Sequence, residues 1–313
     1  MAIGSLAIGI VFSFQTAAGI LGNFSLLSHY LCLYLTGSKL RCTDVTIRHL
    51  TVANCLVILS KGVPQTMAAL GMEDFLSDVG CKLVFYVHRV GRDVSTGSTC
   101  LLSVSQAITI SPHNSYWRDL KIKAHRYIGP CNILCWLLNF ILNVVTPVHM
   151  TGKRHKGNIT KRADYGYCSA EPKGKTANSL YISLLFIHDA LPVGLMLCAS
   201  AFMLSLLHRH RQQVQYIHSR SATLGRSPES RAVQSVLILG SMFASLSTLS
   251  LISHACVPAF SSLSVWLVHA SAVLAGTFPS VSPYILLSHD SRVPRLCFAW
   301  PRDAKSSQVR VSV

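Results

Sequence analysis

The chain has 313 residues, of which 50% are hydrophobic and only 13% are charged. Two water-soluble domains would suit this length, but soluble domains carry about 25% charged residues. The formal charge of +16 at pH 7 does not indicate nucleic-acid binding, because the basic residues are spread over short loops between apolar stretches.

Stretches of about twenty mostly apolar residues recur along the chain, which is the length that a helix needs to cross a bilayer. In lipid the backbone groups must be satisfied internally, so these stretches are predicted to be transmembrane helices. The prediction is an all-α membrane protein, a rhodopsin-like bundle of seven transmembrane helices. The predicted helices cover residues 6–33, 47–70, 80–109, 128–149, 179–207, 232–256 and 263–288.

The first predicted helix is expected to remain in the protein as an anchor. The first charged residue is Lys39, so the opening segment lacks the basic region that begins a cleaved signal peptide. We expect residues 1–290 to form the transmembrane domain and residues 291–313 to form a short cytoplasmic tail.

Three features predict a plasma-membrane protein with an extracellular N-terminus. Most Lys and Arg residues then fall in inner loops, although the basic loop 150–178 is an exception. That loop contains Asn158 in an Asn-Ile-Thr glycosylation sequon. In this orientation Cys81 and Cys168 both lie on the oxidising outer side, where a disulfide between them would tie the loop over the bundle.

Several polar and small residues fall at positions that resemble the rhodopsin-like receptor superfamily. They are Gly22 and Asn23 in the first helix, Asn54 in the second, Trp136 in the fourth and Pro283 in the seventh. Buried amides in a lipid-embedded bundle need partners, so Asn23 and Asn54 are expected to bond to each other. The chain lacks the acidic-Arg pair that usually ends the third helix of that superfamily.

Longer strings resemble the vomeronasal type-1 receptor family over residues 17–290. They are LTVAN at 50–54, KGVPQTMAA at 61–69, TCLLSV at 99–104, QAITISP at 106–112, SPESRA at 227–232 and FPSVSP at 278–283. The resemblance implies a pheromone-type receptor that couples to an inhibitory-class heterotrimeric G protein. Gly91, Arg92 and Asp93 depart from the family pattern, which leaves open a receptor-like protein without signalling activity.

Charged and histidine side chains inside the predicted spans are candidates for a small-molecule site, because such groups are costly in lipid. If they converge, they would form one outer cavity that binds a pheromone-like ligand. The structural alternative is that Arg89 and Asp93, four residues apart, form an internal ion pair, and that Asp189 pairs with a neighbouring cation. The candidate ligand-binding residues are Lys61, His88, Arg92, His188 and Asp189.

The inner loops are predicted to hold the G-protein site. The basic, half-apolar segment after the fifth helix can dock a G protein or lie on anionic membrane lipid. The candidate G-protein contacts are Ser111, His113, Arg118, Arg211, Val214, His218 and Arg231.

Other function classes receive less support from the sequence. We find no nucleophile with its base, no phosphate-binding loop and no metal-ligand spacing, so neither an enzyme nor a cofactor is predicted. A small-solute transporter is less favoured, because the chain shows no inverted repeat and its number of predicted helices is odd.

Overall fold

A computed structural model describes most of the first half of the chain and selected segments of the second half. The described residues are 3–37, 41–72, 75–112, 115–144, 150–152, 163–164, 167–170, 187–188, 190–206, 208–209, 237–238, 240–242, 244–246, 248–249, 264–290 and 292. The predicted glycosylation site Asn158 lies outside them.

The described residues are predominantly helical. The α-helices that are described without gaps are α1 (Ile3–Leu35), α2 (Cys42–Val57), α3 (Val63–Ala69), α4 (Asp78–Ile110), α5 (Ser115–Leu142), α6 (Ala190–Leu206) and α7 (Ser264–His289). Together α2 and α3 form the predicted second helix, α6 lies within the predicted fifth helix, and α7 corresponds to the seventh. The predicted bounds of the first, third and seventh helices agree with the structure to within a few residues.

The outer surface of the helices is apolar, as lipid requires. Phe14, Leu21, Leu35 and Ile141 are each at least 65% exposed, and many other large apolar side chains are also exposed. Such a surface would be unfavourable in water. Among the described residues, the segments Ala7–Leu35 and His269–Ser288 are long and apolar enough to cross a bilayer, and Ala190–Leu206 is a shorter apolar helix.

The main core lies where α1, α2, α4, α6 and α7 meet. Leu26, Leu50, Leu102, Met203 and Phe278 each come from a different one of these helices, and each is at most 3% exposed. Each apolar side chain buried in such a core makes many small dispersion contacts. The core therefore holds the fifth helix of the prediction against the first, second, third and seventh.

The second predicted helix changes its geometry near its middle. Residues Ile58–Gly62 form a π-helical turn, and α3 follows directly with Pro64 in its first turn. A proline ring clashes with the carbonyl four residues earlier in a regular helix, here that of Ser60. The wider turn accommodates this proline, and it contains Lys61, one of the predicted ligand-binding residues.

The helix α5 begins much earlier than the predicted start at residue 128. Its first turns include Arg118 and Lys121, which precede the predicted start and were therefore expected to lie in an inner loop. The Lys121 ammonium donates a 2.9 Å hydrogen bond to the carbonyl of Ser111, just after the end of α4. This bond satisfies a carbonyl at the end of α4 and connects the start of α5 to it. The basic segment is thus part of a helix and not of a loop.

A small antiparallel sheet of three very short strands lies in the loop between α5 and α6, outside the helices. The strands are β1 (Met150–Gly152), β2 (Ala163–Asp164) and β3 (Cys168–Ala170), in the order β1-β3-β2. In the register of β1 and β3, Gly152 is opposite Cys168.

Two buried asparagines connect the helices, but they do not bond to each other as predicted. The Asn23 amide donates to the carbonyls of Gly19 and Pro279, at 2.8 Å each. The Asn54 amide donates to the Ser282 hydroxyl at 3.0 Å, and its oxygen accepts from the Ser95 hydroxyl at 2.8 Å. Asn54 therefore joins α2, α4 and α7, while Asn23 joins α1 to α7.

Candidate ligand-binding site

A disulfide holds a strand against one end of α4. Cys81, in the first turn of α4, is bonded to Cys168 of β3, and their Cα atoms are 5.9 Å apart. Both cysteines are fully buried, so the predicted disulfide is confirmed in a protected position. The ring of Tyr167 lies 6.3 Å from that of Phe75 and 6.0 Å from that of Phe85. These aromatic contacts complete a cover over this end of α4.

One carboxylate lies among the cations of α4. Asp93 Oδ2 is 3.5 Å from Arg89 Nε, and its Oδ1 is 3.7 Å from Arg92 Nε. The Asn143 amide also donates to Asp93 Oδ2, at 3.0 Å. The ion pair between Arg89 and Asp93 is therefore present, as the structural alternative expected. Asp93 is 4% exposed, and its charge is stabilised by these partners.

Lys61 lines a cavity between the second predicted helix, α1 and α7. The cavity also contains Gln65, which is one helical turn further along the chain and 5% exposed. Further lining residues are Phe12, Gln15 and Thr16 from α1, with Ala272, Gly276 and Ser280 from α7.

The structure brings only part of the predicted ligand-binding set to this cavity. His88 and Arg92 lie one turn apart on α4, but neither is among the residues that line the cavity beside Lys61. His188 is half-buried just before α6. Asp189 lies outside the described residues. Of the four described members, Lys61 alone lines this cavity, so their expected convergence on it is not observed.

The opposite end of the bundle contains a set of ionic contacts, the Arg292 cluster, made of Arg292, Asp44, Asp290 and His29. The Arg292 guanidinium donates to both oxygens of Asp44, at 2.8 and 2.9 Å, and to both oxygens of Asp290, at 3.0 and 3.1 Å. His29 Nε2 is 3.4 Å from Asp290 Oδ2. The cluster therefore joins α1, the start of α2 and the chain that follows α7.

The ionic state of the cluster is set by these contacts. Burial opposes ionisation of Asp290, but the hydrogen bonds and charge of Arg292 hold the pKa of this carboxyl below its ordinary value. Hydrogen bonds to Asp44 raise the pKa of Arg292, although burial acts in the other direction. Asp290 and Arg292 are therefore both charged at neutral pH. Arg292 also lies over the Tyr30 ring.

The predicted G-protein contacts are described only in part. Ser111 is 3% exposed, and its hydroxyl donates to the Ile108 carbonyl at 2.6 Å, so it closes the end of α4 rather than presenting a free side chain. Arg118 is exposed on α5. The others lie outside the described residues, and they are His113, Arg211, Val214, His218 and Arg231.

Sequence reasoning missed several residues that the structure connects to these sites. Gln65 has a weak signal, because it lies one turn after Lys61 in the string at 61–69. Asn143 and Asp44 have no local signal, since their partners Asp93 and Arg292 are far away in sequence. Arg292 falls in the predicted tail 291–313, but it is bonded to Asp44 in α2.

An apolar exterior, hydrogen-bonded amides inside and a disulfide at one end define a helical membrane protein. The model of the vomeronasal organ pheromone receptor family matches residues 6–299. The chain belongs to this family. It is therefore a pheromone receptor of the G-protein-coupled class, as its resemblance predicted.

Individual relatives extend over almost the whole chain. Human vomeronasal type-1 receptor 4 is 48% identical over 302 residues, which is 96% of this chain and 100% of the relative. Human vomeronasal type-1 receptor 3 is 49% identical over 297 residues, 95% of each chain. Olfactory receptor class A-like protein 1 of Danio rerio is 28% identical over 289 residues, which is 91% of this chain and 90% of that relative.

Proposed function

We propose that this receptor is a seven-helix bundle in the plasma membrane, with its N-terminus outside and residues 291–313 forming its tail. It binds a small pheromone-like ligand in the outer half and activates an inhibitory-class heterotrimeric G protein on the inner side. The single observation that supports this most is the group of charged side chains on α4, just below the strand that the disulfide holds.

The proposed ligand contacts are the five residues predicted from the sequence. Arg92 and His88 lie two to three turns below Cys81, roughly 10–16 Å along α4 at 1.5 Å per residue. Asp93 already has Arg89 and Asn143 as partners, so its role in this proposal is structural. Lys61 acts from the neighbouring cavity, and His188 and Asp189 complete the site from the fifth predicted helix.

A ligand activates the receptor only through a difference in its affinity for the two packings of the bundle. The structure contains an element that such a difference can act on: Asn54 holds α2, α4 and α7 together through two hydrogen bonds. On the inner side, the proposed G-protein contacts are the seven residues predicted from the sequence, and Asn158 is proposed to carry a glycan.

The test is nucleotide exchange on a purified inhibitory-class G protein with the receptor in lipid nanodiscs. A panel of small volatile and steroid-like compounds should contain at least one that accelerates exchange. No exchange with any compound, despite normal delivery to the cell surface, would favour a receptor-like protein without signalling activity.

Arg92→Ala should lower the response to an active compound at least tenfold while surface delivery is unchanged. The matched control is Lys82→Ala, which removes an exposed charge from the first turns of the same helix. Equal losses of response and delivery in the Arg92 variant would assign this residue to folding instead.

A further inference from the structure

The cavity beside Lys61 contains two polar groups for which the described residues supply no partner. No hydrogen bond or ion pair joins the Lys61 ammonium to any residue that the structure describes. The Gln65 amide also has no such partner, although Gln65 is only 5% exposed. Gln65 is buried and Lys61 is half-buried. Polar groups in such positions are normally hydrogen-bonded, so these two indicate a ligand.

The other polar groups around the cavity bond within the protein. The Gln15 amide donates to the Val273 carbonyl at 2.9 Å, and the Ser280 hydroxyl donates to the Gln15 carbonyl at 3.0 Å. The hydroxyls of Thr16 and Thr66 are 3.3 Å apart and share a hydrogen bond. Among the described residues of the lining, Lys61 and Gln65 are therefore left with N–H donors that can bind something else.

The charge of the cavity selects the sign of the ligand. No carboxylate is among the described residues that line it. A half-buried cation without a counter-charge is costly. A bound anion removes the cost, and the Gln65 amide supplies an additional N–H donor.

The size of the cavity restricts the anion. Its volume is ≈ 20 Å³. On the same scale, a cavity that holds a single water molecule has about 10–15 Å³. The rest of its wall is mostly apolar, with Phe12, Val57, Ile58 and Ala272. A monatomic anion fits this space, whereas a polyatomic organic acid is too large.

We propose that the cavity binds one monovalent anion of the size of chloride, held by the Lys61 ammonium and the Gln65 amide. The anion links the π-helical turn to the face where α1 and α7 meet, and so it stabilises the bundle. The inference replaces the direct ligand contact proposed above for Lys61 with a contact to an anion. It otherwise goes beyond the proposed function, because anion binding does not depend on whether the receptor responds to a pheromone.

The experiment is thermal unfolding of the purified full-length receptor in detergent, followed by tryptophan fluorescence. Sodium chloride replaces sodium gluconate at constant sodium concentration and ionic strength. A ligand that binds only the folded state raises Tm with its concentration, and we expect a saturable rise of about 3 °C with chloride. Bromide should act in the same way.

Two variants and one control assign the effect to the cavity. Lys61→Met should abolish the rise, and Gln65→Leu should shift its midpoint at least threefold to higher chloride. Lys82→Met removes one exposed positive charge outside the cavity and should keep the full response. If Lys61→Met does not fold, the shift of the chloride midpoint in Gln65→Leu tests the proposal instead.

Three results would overturn the proposal: no rise with chloride, an equal rise in Lys61→Met, or a larger rise with acetate than with chloride. The first would mean that the lysine is buried without a bound anion, and the second that chloride acts elsewhere. Because unfolding is measured without a G protein, a failure of the proposed signalling function leaves this test unaffected.

Discussion

Replacement of Arg292 by alanine should destabilise the receptor strongly. Arg292 is bonded to both oxygens of Asp44 and of Asp290, and the alanine variant leaves two carboxylates side by side without their shared cation. The side chain of Asp44 is 2% exposed and that of Asp290 is 7% exposed. Neither charge can therefore be fully hydrated in the folded protein.

The expected loss follows from this geometry. Removing one partner of a buried ion pair typically costs about 3–5 kcal/mol of unfolding free energy. The Arg292 side chain is 20% exposed, so water compensates part of the loss. We therefore expect the lower end of that range, about 3 kcal/mol, or a decrease in Tm of roughly 6–10 °C.

The assay is thermal unfolding in detergent at pH 7, with Arg126→Ala as the matched control because Arg126 is exposed on α5. Arg292→Lys keeps the positive charge but loses the bidentate contact with the carboxylates, so its decrease in Tm should be intermediate. Adding Asp44→Asn to Arg292→Ala should recover part of the loss, since one orphaned charge is removed. If Arg292→Ala melts within a degree of the control, the cluster contributes no stability and the reasoning is wrong.

Three further predictions concern other contacts in the bundle. A Cβ atom at Gly22 would lie 2.7 Å from the ring of Tyr284, so Gly22→Ala should cost about 1–3 kcal/mol, whereas Gly129→Ala, with open space around it, should be neutral in the same unfolding assay. Asn54→Leu removes two hydrogen bonds between helices and should cost about 1–2 kcal/mol, and an unchanged Tm would show that Asn54 does not hold α2, α4 and α7 together. Because the folded-state pKa of Asp290 lies below its ordinary value of 3.8, its contribution is present above about pH 4 and is lost as the pH falls through the lower value. Tm should therefore fall in acid, and less steeply in Asp290→Asn; equal slopes would contradict this assignment.

The parts of the structure that the sequence predicted depend on local pattern. The span of α7 follows from a continuous apolar run, and the Cys81–Cys168 disulfide follows from two cysteines on the same side of the membrane. The ion pair between Arg89 and Asp93 follows from helical spacing. Each of these needs only the period of a helix or the position of a residue relative to the bilayer.

The parts that it missed depend on contacts between distant segments. Asn54 was expected to bond to Asn23, but Ser95 and Ser282 are closer partners, and which helices are neighbours cannot be read from one helix at a time. Asp44, one of the two carboxylate partners of Arg292, is 248 residues away from it. The start of α5 at Ser115 was missed because its basic first turns resemble a loop by composition.

The central claim is that the receptor crosses the membrane with its N-terminus outside, and epitope accessibility in intact cells tests it most directly. An antibody should reach a tag before residue 1 without permeabilisation, and should reach a tag after residue 313 only once the membrane is permeabilised. An amino-terminal tag that is labelled only after permeabilisation would contradict the orientation, and with it the proposed sides for the ligand and the G protein.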